Sequence, residues 1–359
     1  MIASQDHSGG SIKRGVVLAF VAAGLFGVTA PLLQKASAGV SPLYSGSLLY
    51  LGAALGAGLR VIPRSPGGGQ HNARSLLTRA SLLRLALVAL FGAALAPALL
   101  VRGLARTDAA TASLLLALEA PFTLLLAWLF MREHISRRVL FAALAIFAGG
   151  VALVIGSLRV DAAGGSAVLV AAAALGWALD NLLSRPLADH DPVLVVMGKG
   201  ILGGVASATV ALCFRQAAPS LGAAIALLLL GAVSFGVSLQ FYLRAQQIVG
   251  VGRTASVFGV APFVGVVAAV ALGAPWPGAQ LPIAAALIGL GLWLHLSERH
   301  AHRHQHEAID HQHLHRHDDG HHDHHHDPMP TGAHSHPHHH DAVTHAHEHS
   351  EDLHHRHPH

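Results

Sequence analysis

Charge is scarce in this chain. Only 12% of its 359 residues are Asp, Glu, Lys or Arg, against about 25% in an ordinary soluble domain. With 52% hydrophobic residues and a mean hydropathy of +0.50, most of the polypeptide belongs in lipid. A lone cysteine, Cys213, excludes an internal disulfide and a Cys-rich metal site, and reads as a small packing residue. Aromatics make up 5% and never interleave with basic residues, which excludes a single-strand nucleic-acid surface. The phosphate-loop pattern GxxxxGK[ST] is missing too, because Gly198-Lys199-Gly200 lacks the upstream glycine and the following Ser or Thr. No Ser/His/Asp set or paired carboxylates lie in the apolar part, so an enzyme is not expected. Alternating strands of the barrel type are absent as well.

What is present is a series of long apolar runs rich in Ala, Gly and Leu. About twenty helical residues cross the roughly 30 Å of a bilayer core. Ten such runs are predicted, at 15–33, 43–59, 85–101, 109–131, 139–156, 166–184, 193–214, 221–243, 254–272 and 280–296. The expected class is an all-α polytopic membrane protein followed by a disordered tail. Within the second run, Gly52 and Gly56 stand one turn apart and would permit close helix contact, although so glycine-rich a chain supplies such pairs by chance. The connection 60–84 carries Gly67-Gly68-Gly69 and five arginines, which marks it as flexible and cytoplasmic.

Residues 1–299 hold 20 Lys and Arg against 9 Asp and Glu, whereas 300–359 hold 3 against 10. With the N-terminus inside, thirteen basic residues, among them Lys13, Arg14, Arg137, Arg138 and Arg185, fall on the cytoplasmic side. Five, namely Lys35, Arg102, Arg106, Arg159 and Arg215, fall opposite. Both termini are therefore expected in the cytoplasm of a bacterial-type inner membrane.

An internal repeat is also legible. Leu32-Leu33-Gln34-Lys35 and Pro42 match Leu182-Leu183-Ser184-Arg185 and Pro192 at an offset of 150. Thr111-Ala112-Ser113 recurs as Thr254-Ala255-Ser256, and Ala120-Pro121-Phe122 as Ala261-Pro262-Phe263. The chain then divides into a cytoplasmic start at 1–14, two five-helix repeats at 15–157 and 164–297, and a tail at 298–359. An odd number of spans per repeat inverts the second half in the membrane and places a substrate site near the midplane.

From about residue 14 to 298 the sequence resembles the EamA-type transporters of the drug/metabolite transporter superfamily. The resemblance rests on Leu118-Glu119-Ala120-Pro121, on Met131-Arg132-Glu133-His134-Ile135-Ser136 and on Gly149-Gly150. In the second half it rests on Tyr242-Leu243-Arg244-Ala245, Thr254-Ala255-Ser256 and Ala261-Pro262. It implies ten helices in two repeats and secondary transport without a cofactor. Two departures stand out: no acid precedes Pro262, and Gly273-Ala274-Pro275-Trp276 replaces the usual Gly-Glu.

Glu119 is the central candidate. A carboxylate this deep in a span costs about 2.5–3.5 kcal/mol on insertion scales, so it reads as a cavity group binding a proton or a substrate cation. The alternative is a structural carboxyl held by a neighbouring helix. Pro121, two residues on, removes a backbone hydrogen bond and frees a carbonyl for the same cavity, or simply kinks the helix. Asp180 and Lys199 lie on consecutive spans within about two turns of the same end, where they can form an ion pair, or Lys199 can snorkel to the headgroups. Gln34, Gln240 and Arg244 are further cavity candidates near helix ends. Trp128, Trp177, Trp276 and Trp293 are expected at interfaces or in gaps between helices. The resemblance makes Glu133 a family marker, while its chemistry suits an arginine partner or a helix cap.

The last 60 residues contain 25 histidines mixed with Asp and Glu, in runs no longer than three. With almost nothing apolar to bury, the segment is expected to be disordered. Neutral imidazole suits Zn, Ni and Co. At three ligands each, the tail would hold on the order of eight ions, with His321, His322, His324, His325, His326, His338, His339 and His340 in its densest clusters. Three functions follow: export of a small metabolite such as an amino acid with a regulatory tail, export of a divalent transition metal collected by the tail, or membrane-tethered metal storage. Expected partners are the lipid bilayer, the small-molecule or metal-ion substrate and a second copy in a homodimer, with no nucleic acid.

Overall fold

A computed structural model describes residues 6–59, 78–131, 135–160, 165–187, 192–249, 251–276 and 278–296, together with four strands between 301 and 348. Two units separate, one formed by residues 1–62 and 76–298, the other by 63–75 and 299–359. Among the described residues the first is entirely helical. Its elements are α1 (Asp6–Gly27), α2 (Thr29–Ala36), α3 (Pro42–Gly58), α4 (Arg79–Val88), α5 (Ala96–Leu104), α6 (Ala109–Leu115), α7 (Glu119–Met131), α8 (Arg137–Val160), α9 (Ser166–Ser184), α10 (Pro192–Cys213), α11 (Leu221–Gly231), α12 (Ser238–Val249), α13 (Val251–Phe258), α14 (Ala261–Ala271) and α15 (Gln280–Leu296).

Seven continuous helical stretches among the described residues are long and apolar enough to cross a membrane: Lys13–Ala36, Arg79–Leu104, Ala109–Met131, Arg137–Ile155, Ser166–Leu187, Val193–Cys213 and Leu221–Gln246. The helices α3, α14 and α15 are shorter. Large apolar side chains such as Phe130, Phe141, Leu229, Val267 and Ile283 point outward, the surface expected of a protein solvated by lipid. Inside, Leu49, Leu100, Leu114, Leu115, Ile146, Leu281 and Ile288 form a core drawn from both halves of the chain.

Helix starts are set by short polar side chains that satisfy otherwise orphan N–H groups. Ser41, Thr78, Asp108 and Ser220 accept from the backbone N–H groups of Tyr44, Ser81, Thr111 and Ala223. Three of the four interruptions inside the long helices lie beside a proline. Between α4 and α5 the residues Ala89–Leu95 form a π-helical turn, immediately before Pro97, whose ring has no N–H to offer Ala93. A second π-helical turn, Ala232–Val237, joins α11 to α12 without a proline. The Glu119 helix is broken by a 3-10 turn at Leu116–Leu118, directly ahead of Pro121, and its counterpart is broken at Gly259-Val260, directly ahead of Pro262.

The two halves meet backbone to backbone. A Cβ added at Gly52 would fall onto the carbonyl of Leu228, and one at Gly56 onto that of Ala232. The one-turn glycine pair of α3 is therefore the surface that seats α11 and the second π turn, and not a product of composition alone. On the other side of the bundle, a Cβ at Gly203 of α10 would stand 2.9 Å from the carbonyl of Ala89 in the first π turn. Ser47 of α3 donates to the carbonyl of Gly204 at 2.7 Å and locks α3 to α10.

In the second unit four short strands pair. β1 (Ala301–Gln305) pairs antiparallel with β4 (Thr344–Glu348), and β2 (Ile309–His315) pairs antiparallel with β3 (His334–His340). Backbone hydrogen bonds between strands do not depend on side-chain hydrophobicity, so a chain too polar for a core still forms ladders. His338, His339 and His340 lie on β3, with His338 opposite His311 and His339 opposite Asp310. His321, His322, His324, His325 and His326 lie outside the described residues.

Candidate functional site

Deep in the bundle, α9 presents two adjacent polar residues in different directions. Asp180 is 3% exposed. Its Oδ2 lies 2.6 Å from Lys199 Nζ on α10, and its Oδ1 accepts from the Ser184 hydroxyl at 3.0 Å. Lys199 does not snorkel outward, since its side chain is 18% exposed and its ammonium ends on the carboxylate. Both oxygens of Asp180 are thus partnered, as a buried charge requires. Gly92, in the first π turn, makes the space: a Cβ there would overlap the Asp180 carboxylate.

The next residue, Asn181, turns toward α7 and donates from Nδ2 to Glu119 Oε1 at 2.7 Å. Glu119 is half-buried and Asn181 exposed, so this pair is reachable from outside the packed core in a way the Asp180 pair is not. Glu119 opens α7 immediately after the 3-10 turn. Pro121 beside it is buried and leaves the Ala117 carbonyl without its helical N–H partner.

One turn before Asp180, Trp177 is 7% exposed. Its Nε1 donates both to the Tyr50 hydroxyl at 2.9 Å and to the carbonyl of Gly92 at 3.0 Å. This tryptophan, expected at an interface or in a gap, is instead tied into the polar centre. The other three, Trp128, Trp276 and Trp293, are mostly exposed on the apolar exterior. From Tyr50 an aromatic row continues through Phe235 of the second π turn, Phe26, Phe258 and Tyr242, with successive ring centroids 5.5, 5.5, 5.3 and 5.0 Å apart. The row runs from α3 across α1 to α12 and α13, so it joins the polar centre to the second half of the chain.

The remaining candidates scatter. Gln240 is buried, and its Nε2 donates to the Gly56 carbonyl at 2.9 Å, fastening α12 to α3. Arg244 is half-buried on α12 and is engaged by its neighbours. Gln34 closes the end of α5 by donating to the carbonyls of Leu104 and Thr107 at 2.8 and 2.9 Å. Arg132, Glu133, His134 and His190 lie outside the described residues. No group of three or more His, Cys, Asp or Glu able to hold a metal occurs among the described residues. Sequence reasoning missed Asn181, Tyr50, Trp177 and Gly92. A signal existed for two of them, because Asn181 adjoins an intramembrane acid and Tyr50 brings a hydroxyl that needs a partner into an apolar run.

Three comparisons bear on the arrangement. The model of the EamA-like transporter family matches the chain twice, at residues 13–155 and 165–297. An uncharacterized transporter of Methanothermobacter thermautotrophicus is 31% identical over 206 residues, covering 53% of this chain. The match spans 59% of that relative's length. A crystal structure of a protein that is 20% identical superposes with a TM-score of 0.54, over 79% of this chain and 96% of that one, which speaks for the fold alone.

Proposed function

This chain belongs to the EamA-like transporter family, and from that premise we propose that it is a secondary transporter exporting a small metabolite, an amino acid or related compound, by alternating access. The observation that carries the proposal is that one turn of α9 serves two unlike acid sites, Asp180 on α9 itself and Glu119 on α7 through Asn181. Asp180 is sealed by Lys199 and Ser184, whereas among the described residues Glu119 meets a neutral amide at 2.7 Å and is half-buried. A carboxylate bonded to a neutral donor can take up and release a proton without stranding a buried cation, so Glu119 is the coupling group and Asp180 the fixed one. The break ahead of Pro121 interrupts the helix next to that group, an irregularity tolerated at membrane depth only beside a cavity or protein.

In this reading the ten predicted spans form two inverted five-helix repeats, both termini face the cytoplasm, and no cofactor is needed. Glu119, Pro121, Asp180, Lys199, Gln240 and Arg244 are the pathway and framework residues. The tail binds Zn, Ni or Co as a buffer or regulator. Its donor set fits such ions: the strand register puts His311, His313 and His315 opposite His338, His336 and His334, and imidazole is the preferred nitrogen ligand of these metals.

The test is uptake into inside-out proteoliposomes, screened against amino acids under an imposed pH gradient. The expected outcome is gradient-driven accumulation that falls at least about tenfold in Glu119→Gln. Transport indifferent to the gradient and to this substitution would remove Glu119 from the mechanism. Zinc or nickel accumulation lost on deleting 299–359 would instead favour metal export.

A further inference from the structure

A cavity of about 440 Å³, lined by none of the residues of the polar centre, opens where the ends of α2, α5 and α14 converge on the loop before α6. Its wall holds two exposed cations, Lys35 and Arg106, and the hydroxyl-bearing Thr107. Lys35 Nζ donates to the Leu272 carbonyl at 2.9 Å, which spans the mouth from α2 to the end of α14 and leaves further N–H bonds for a ligand. Asp108 is the acid of the rim, and its Oδ1 accepts from the Thr111 N–H at 2.7 Å. Thr107 is 2% exposed, its carbonyl is taken by Gln34, and its Oγ1 finds no partner among the described residues. The rest of the wall is apolar, with Pro31, Ala105, Ala269 and Pro275.

We propose that this cavity is a binding site for a small aliphatic carboxylate, held between Lys35 and Arg106 with its short apolar body against the prolines and alanines. The charge balance favours a single anion, since two cations face one acid already engaged in capping a helix. Arg offers a planar fork for a carboxylate and Lys a movable ammonium. This site is independent of the proton-coupled reading of Glu119 and stands or falls apart from it.

The probe is butanoate, with butanamide as its uncharged isostere, titrated against the full chain in phosphatidylcholine nanodiscs at about pH 7.5 by ligand-observed NMR. Butanoate is expected to bind and butanamide not. Lys35→Gln and Arg106→Gln should each weaken binding by about tenfold, the loss of one charge-assisted contact. Both side chains are exposed, so these variants keep the fold, as size-exclusion profiles would verify. Glu119→Gln should leave binding unchanged. Equal binding of butanamide, or butanoate binding indifferent to the Lys35→Gln/Arg106→Gln pair, would overturn the proposal. So would loss of butanoate binding in phosphatidylglycerol discs, which would assign the site to a lipid phosphate.

Discussion

Asp180 and Asn181 are neighbours in sequence and about 100° apart around their helix, and that angle separates two kinds of chemistry. Asp180 meets an ammonium at 2.6 Å inside the bundle, while Asn181 meets Glu119 at 2.7 Å on its flank. Removing one partner of a buried ion pair leaves an uncompensated charge, at a cost of about 3–5 kcal/mol. Lys199→Met and Asp180→Asn are therefore each expected to lower the unfolding temperature in detergent sharply. The double variant is expected to recover much of the loss, with a coupling of more than about 1 kcal/mol in the cycle. Additive losses would mean that the pair does not interact. Gly92→Ala should mimic Asp180→Asn, because its methyl would occupy the carboxylate's place. The pairing of Asp180 with Lys199 was legible as one of two options from their matched depth. Gly92 was not, because its part depends on a helix that is not its sequence neighbour.

At the level of elements, each half of the chain has a long helix with a π turn, and each π turn lies against a glycine of the other half. Ala89–Leu95 packs on Gly203 of α10, and Ala232–Val237 on Gly56 of α3. Larger side chains at these glycines would force the backbones apart. Gly56→Val should abolish the folded, monodisperse protein, whereas Gly222→Ala, with open space around its Cβ position, should be silent by size-exclusion profile and yield. Pro121→Ala restores the missing N–H and should convert the 3-10 turn at Leu116–Leu118 to α-helix. Slower hydrogen exchange of the amides at 116–121 would report it, and unchanged exchange would show that packing, not the proline, sets the break. The prolines announced these breaks in the sequence; the π turns did not announce themselves, since the second has no proline and arises where two backbones close to contact.

For the whole molecule, the membrane-spanning helices and the tail obey different physics. Imidazole must lose its proton to bind a metal, and its ordinary pKa is about 6.5. Neutral imidazole predominates above that value and is lost as pH falls through it. Zinc binding by the full chain should therefore be strong at about pH 7.5, weaken greatly near pH 5.5, and vanish on truncation after residue 298. Calorimetry of the two forms reads this directly, and equal affinity at both pH values would exclude imidazole ligation.

The sequence by itself determined that this is an α-helical membrane protein of the EamA-like family, whose model matches it twice, because hydropathy, span length and short motifs are properties of contiguous residues. It also singled out Glu119, since an acid in an apolar run costs energy wherever the helix packs. Only the tertiary structure decided which acids are sealed and which are open, that Trp177 and Tyr50 meet 127 residues apart, and that Lys35, Arg106 and Thr107 share a cavity. Those outcomes depend on rotations of helices about their own axes. The many small residues of this chain leave such rotations free until glycine-to-backbone contacts between the halves fix them.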